Sequence, residues 1–211
     1  MACAKHPLAG GRGGPCPVCL LEQALGAPEA AALPRHLTVC LPLGVTGAGS
    51  VYLVRQETPP ALLRLKTYNR EAPADYLDRF GTLRDHLNRD LDTATVVPLA
   101  ASVDGVGRPS VLSEFRRGVP VLDAVKSGAV PSHVAVALVS AVAGVLEQTH
   151  ARDLAHGSLV SGNLLVRPDL MAIVLVDFGL AALLGPELSP GVMMSRDRTA
   201  LATLTDAVRS L

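Results

Sequence analysis

Hydrophobic and polar positions change their period along the chain. Leu37-Thr-Val-Cys-Leu41 and Ser50-Val-Tyr-Leu-Val54 alternate as half-buried strands do, with a Gly-rich turn, Gly44 to Gly49, between them. Ala61 to Tyr68 is a third strand, apolar but with Arg64 and Lys66 on one face. Asp75 to Leu91 switches to helical period. Val96 to Val103 and Ser110 to Phe115 return to strand, with Asp104, Gly105 and Gly107 as the turn of a hairpin. Leu122 to Lys126 predicts a short helix. Ser132 to His150 predicts a long one with Ser132 as its N-cap, and Arg196 to Ser210 a last one. Asn163 to Val166 and Ala172 to Val176 read as a short hairpin. Strands dominate the first part and helices the second, which predicts a two-lobed α+β architecture without internal repeats.

Composition narrows this picture. The chain has 211 residues, 49% of them hydrophobic, too apolar for a disordered polymer. Aromatics make up 3% and Trp is absent, so the core must be Leu, Val and Ala. Lys plus Arg is 19 and Asp plus Glu is 19, which argues against broad electrostatic binding of nucleic acid or anionic membrane. The longest mainly apolar run, Val134 to Leu146, is shorter than the ~20 residues of a membrane span. No secretory signal opens the chain. These features lead to the expectation of a soluble cytoplasmic protein.

Residues 1–34 form a separate segment. Cys3, His6, Cys16 and Cys19 pair up as Cys-Ala-Lys-His and Cys-Pro-Val-Cys across a Gly-rich loop. Two such knuckles can turn four ligands toward one ion, so a structural zinc site is the expectation. The alternatives are a disordered tail with incidental thiols and, with no sign of secretion, a less favoured disulfide framework. Leu20 to Ala32 reads as a short linker helix, interrupted by Gly26 and Pro28. Cys40, in an alternating stretch, is expected to be a buried core thiol.

Several short motifs are weak singly but ordered. Gly44-Val-Thr-Gly-Ala-Gly49-Ser-Val51 precedes Lys66. Ser113-Glu-Phe-Arg116 follows a strand. Then come His150, His156-Gly-Ser-Leu-Val-Ser-Gly-Asn163, Asp177-Phe-Gly-Leu-Ala181 and Asp197. Together they resemble the eukaryotic-like Ser/Thr protein kinase family in its bacterial version, over about Leu37 to Leu211. The Cys-Pro-Val-Cys-Leu-Leu ending of the first segment also looks like zinc knuckles attached to some bacterial kinases.

The resemblance implies a bilobal fold, with an N-lobe of five strands at about 35–115, a truncated C-lobe at about 116–211, and a nucleotide cleft between them. It implies that Gly44 and Gly49, with Val51, cover the phosphates, although Thr46 replaces the middle glycine. Lys66 then contacts the α- and β-phosphates, with Arg64 as a rival if the alignment slips. The Glu that pairs with this lysine is missing from Arg79 to Asp85. Leu83 or Arg84 takes its place, and Asp85 is a weak substitute. Ser113 stands as gatekeeper and Glu114 to Arg116 as the adenine hinge. Asn163 and Asp177 stand at the two positions that bind magnesium with ATP, an amide oxygen and a carboxylate suited to a hard cation. His156 is expected to pack beneath the Asp177-Phe178-Gly179 turn as a core residue.

The catalytic loop departs from the family. Ser158 stands where the Asp that accepts the substrate proton belongs, and Val160 where a phosphate-contacting Lys belongs. Arg152-Asp-Leu154 mimics the motif, but Asn163 has the right spacing only from Ser158. No Ala-Pro-Glu anchor follows Asp177, and Leu201, Leu204 and Val208 on the last helix are expected to be exposed. The reading is therefore a pseudokinase that binds ATP with magnesium weakly, carries no catalytic residue at 158, and acts through a protein partner as a homo- or hetero-oligomer. Nucleic acid and membrane are not expected partners. An atypical active Ser/Thr kinase and a zinc-mediated interaction module are the alternatives.

Overall fold

The computed structural model describes residues 37–46, 48–90, 95–169, 171–185 and 188–211. The expected zinc ligands Cys3, His6, Cys16 and Cys19, and the linker helix, lie outside the described residues. The chain is a mixed α+β protein that divides into two units: one contains residues 1–72 and 99–115, the other 73–98 and 116–211.

The first unit is built on a five-stranded sheet in the order β1-β2-β3-β5-β4. The strands are β1 (Leu37–Thr46), β2 (Gly49–Gln56), β3 (Ala61–Tyr68), β4 (Pro98–Val103) and β5 (Pro109–Glu114). The alternation seen in the sequence decides the faces. Tyr52, Val54, Leu63 and Leu65 share one face and form a buried cluster with Leu37. Val51, Leu53, Arg64 and Lys66 alternate to the other. Asp104 makes the tight turn between β4 and β5, its carboxylate accepting from the N–H groups of Val106 and Arg108 at 3.0 and 2.7 Å.

Two local expectations change here. The Gly44–Gly49 stretch is not all turn: β1 runs on to Thr46, with Gly44 opposite Val51 and Thr46 opposite Gly49. Cys40 is half-buried rather than core, because it sits where the β1–β2 register shifts between Val39 and Leu41. At such a bulge the strict in–out alternation breaks down.

The second unit is mainly helical. Helix α1 (Tyr76–Asp90) buries Tyr76, Phe80 and Leu87, a stripe at helical spacing. Strand β6 (Val119–Pro120) leads into α2 (Val121–Lys126), and α3 (Ser132–His150) follows. A 3-10 turn at Ser161–Asn163 precedes β7 (Leu164–Arg167) and β8 (Ala172–Leu175), which form a three-stranded sheet in the order β6-β7-β8. Helices α4 (Leu180–Leu184) and α5 (Pro190–Arg209) complete the described chain.

Helix α3 starts with Pro131, not Ser132, at its N-cap, and no side chain caps it. As a whole it is long and apolar enough to cross a membrane, which the run within it is not. Its stripe of Ala135, Val139, Val142 and Leu146 instead lines the core with Val121, Leu164, Leu175 and Phe178. Helix α5 begins earlier than expected because Ser189 accepts from the Val192 N–H and Pro190 occupies the first turn. Leu204 and Val208 are buried in the same core, and Leu201 packs against it. The expectation that these three form an exposed patch is therefore overturned, since α5 turns that stripe onto α3.

Candidate nucleotide and catalytic-loop residues

The residues singled out in the sequence fall into two sets, one in each unit. In the first, Lys66 lies in the middle of the sheet, opposite Val51 on β2 and Val111 on β5. Hydrogen-bonded neighbours on both sides fix its backbone. Its ammonium lies 5.2 Å from the centroid of the Tyr68 ring, two residues along the same face. Arg64 shares that face, opposite Leu53 and Ser113.

Gly49 closes the loop against β3. A Cβ there would lie 1.8 Å from the Thr67 carbonyl oxygen, so only glycine allows this approach. Gly44, in contrast, has open space around a would-be Cβ. Ser113 is buried, and its Oγ donates to the Arg64 carbonyl at 3.5 Å. Glu114 is the exposed last residue of β5, and the Phe115 N–H donates to the Leu62 carbonyl at 3.2 Å.

In the second unit the catalytic-loop frame is held from beneath. His156 is fully buried, with its ring edge-on to Phe178 at 5.2 Å. Its Nε2 lies 3.1 Å from the Val176 carbonyl oxygen, which can only accept, so Nε2 carries a proton. The Ser158 N–H donates to its Nδ1 at 3.3 Å. Both ring nitrogens are thus used by a neutral imidazole, as a packing residue rather than a proton shuttle requires.

Asp197 sits below, 1% exposed in the middle of α5. Its carboxylate accepts from the backbone N–H groups of His156 and Gly157, both at 2.8 Å, and from His150 Nε2 at 3.0 Å. One buried carboxylate therefore joins α3, α5 and the loop.

The loop presents Ser158 and Val160 at its exposed surface. Asn163 is buried and donates from Nδ2 to the Ser158 carbonyl at 2.8 Å, which closes the loop on itself. The Val176 N–H donates to the Asn163 carbonyl at 3.0 Å and so ties Asn163 to the residue before Asp177. Asp177 is buried with φ 63°, a left-handed conformation that Asp tolerates better than most residues. Gly179 follows with φ 72°, and a Cβ on it would lie 2.6 Å from Leu83 Cδ1.

An amide oxygen and a carboxylate are ligand types that suit a hard cation such as magnesium. Among the described residues no group of three or more His, Cys, Asp and Glu is placed to hold a metal ion.

Three contributions were missed in the sequence. Tyr68 beside Lys66 has no motif signal, although its position two residues along a strand puts it on the same face. Ser161 Oγ accepts from the Leu122 N–H at 3.2 Å and supports the start of α2. Arg79 donates from a guanidinium nitrogen to the Ala182 carbonyl, tying α1 to α4. Leu83, on the stretch where the resemblance implies a Glu, packs against Gly179, while Arg84 pairs with its neighbour Asp85 at 3.5 Å.

No known family profile matches the chain. Over 156 residues it is 28% identical to the serine/threonine-protein kinase PknF of Mycobacterium tuberculosis, covering 68% of this chain and 32% of that protein. Over 170 residues it is 25% identical to the serine/threonine-protein kinase pkn2 of Myxococcus xanthus, covering 79% of this chain and 20% of that protein. The match thus spans a third or less of these curated relatives. The chain carries a weak similarity to bacterial Ser/Thr protein kinases and an α+β fold compatible with theirs.

Proposed function

We propose that the chain is a pseudokinase: a kinase-like domain that binds ATP with magnesium weakly and acts by engaging a protein partner in the cytoplasm. The observation that carries this reading is Ser158. The Asn163 amide and the His156 ring both bond its backbone, and by the resemblance it stands where the family has its proton acceptor. A Ser hydroxyl does not take up a proton near neutral pH. General-base assistance contributes about 10²–10⁴-fold, and the neighbouring position holds Val160 in place of Lys.

Lys66, Asn163 and Asp177 supply one cation and two oxygen ligands for magnesium phosphate. With Thr46 in place of a loop glycine and no Glu on α1, binding is weak, with a dissociation constant above ~10 μM, or less than about 7 kcal/mol. Those three residues, together with relatives named as kinases, also favour a second reading, an atypical active Ser/Thr kinase, since positioning and electrostatics do most of the work in phosphoryl transfer.

Incubation with labelled ATP and magnesium, with a generic protein substrate and alone, separates the two. The pseudokinase reading expects a thermal shift with ATP and magnesium that is lost in Lys66→Ala, and no phosphate transfer. Incorporation of phosphate that disappears in Asp177→Ala refutes it in favour of the active kinase. A pull-down with the full chain, with and without ATP, tests the partner.

A further inference from the structure

We infer that the outer edge of β4 is a pairing surface for a second copy of this chain, joined antiparallel about Ala101. The inference goes beyond the proposed function and stands whether or not the chain binds nucleotide. Among the described residues β4 has one strand neighbour, β5, and so ends the sheet. Its residues, Pro98-Leu-Ala-Ala-Ser-Val103, carry no charge. Leu99 and Val103 are 47% and 38% exposed. A regular, uncharged edge strand with exposed apolar side chains is a template for another strand.

The hairpin fixes which backbone groups face outward. The Asp104 N–H donates to the Arg108 carbonyl at 2.9 Å, and two residues back Ser102 Oγ meets Ser110 Oγ at 2.7 Å. These contacts share one register, in which Ala100, Ser102 and Asp104 turn their backbone groups toward β5. Leu99, Ala101 and Val103 turn theirs away from it, because backbone direction alternates along an antiparallel strand. Centring a second β4 on Ala101 is the arrangement that uses all three. Ala101 then stands opposite Ala101 of the second copy, and Leu99 opposite Val103, each pair exchanging both of its backbone bonds. The same register sets Leu beside Val on one face and places no charge opposite another.

The far edge of the sheet limits the assembly to two chains. β1 carries Pro42, which has no N–H, and its register shifts between Val39 and Leu41 and again between Pro42 and Gly44. Proline and bulges blunt an edge against further pairing. A contact between identical β4 edges about a two-fold axis is self-complementary and closes on itself.

Sedimentation equilibrium of the full chain over a concentration series, with hydrogen exchange in parallel, tests the inference. A monomer–dimer equilibrium is expected, in which the Leu99, Ala101 and Val103 amides gain protection as concentration rises and the Ser102 amide does not change. Ala101→Lys sets like charges opposite each other and should weaken the dimer about 3- to 10-fold. Leu99→Lys should weaken it as well, and Leu99→Lys/Val103→Glu should restore it, because the register sets each new charge against its opposite. A chain that stays monomeric up to about 1 mM overturns the inference and requires no variant to fold. A dimer whose Leu99, Ala101 and Val103 amides gain no protection also overturns it. So does a dimer that Ala101→Lys leaves unchanged, or an assembly that grows beyond two chains.

Discussion

Replacing Asp197 tests how the catalytic loop is held. Its carboxylate satisfies three buried donors: the His156 and Gly157 N–H groups and the His150 imidazole. In Asp197→Ala all three lose their acceptor in a site that is 1% exposed. Each buried donor left unsatisfied costs about 1–3 kcal/mol, and breaking a buried charged network by removing one partner costs about 3–5 kcal/mol. We expect a loss of about 3–5 kcal/mol against a typical total of roughly 5–15. At about 2–4 °C per kcal/mol for a chain of this size, the midpoint should fall by roughly 10 °C. Asp197→Asn keeps one oxygen and should lose less.

Thermal and urea unfolding followed by circular dichroism measure the loss. A double-mutant cycle with His150→Ala should show coupling of about 0.5–3 kcal/mol. Hydrogen exchange should quicken first at the His156 and Gly157 amides, before the rest of the core. A change below about 1 kcal/mol in Asp197→Ala, with those two amides still protected, would falsify the view that this carboxylate holds the loop.

Two further outcomes follow from other parts of the chain. Metal analysis of the full chain should find about one zinc, as a four-ligand structural site requires; undiminished zinc in Cys16→Ser/Cys19→Ser would exclude the assignment. Burial pushes the Tyr76 phenol up from its ordinary value, so the folded chain holds that proton more tightly than the unfolded chain. The stabilisation is complete below the unfolded value near ~10 and is lost as pH rises above it, at up to about 1.4 kcal/mol per pH unit. Tyr76→Phe should remove that part of the alkaline slope, and an unchanged slope would show that this phenol is not the cause.

The sequence by itself determined the elements whose pattern is strong and local. β3 falls at Ala61–Tyr68 as the alternation predicted, and the helix at Ser132–His150 has the predicted ends. The ordered motifs were readable as a resemblance to bacterial Ser/Thr protein kinases, to which the chain is weakly similar. Cap chemistry was less legible: Ser189-Pro190 started a helix earlier than its apolar pattern did, and Pro131 displaced Ser132.

Tertiary structure decided whatever depends on residues far apart in the chain. No local pattern tells a buried Leu204 from an exposed one, because the answer lies in whether α3 offers its stripe to α5. Asp197 is one polar residue in a helix until the loop 40 residues upstream brings it two backbone N–H groups. The need for glycine at 49 comes from the Thr67 carbonyl of a neighbouring strand. Periodicity encodes which face a side chain takes; only the packed chain supplies what that face meets.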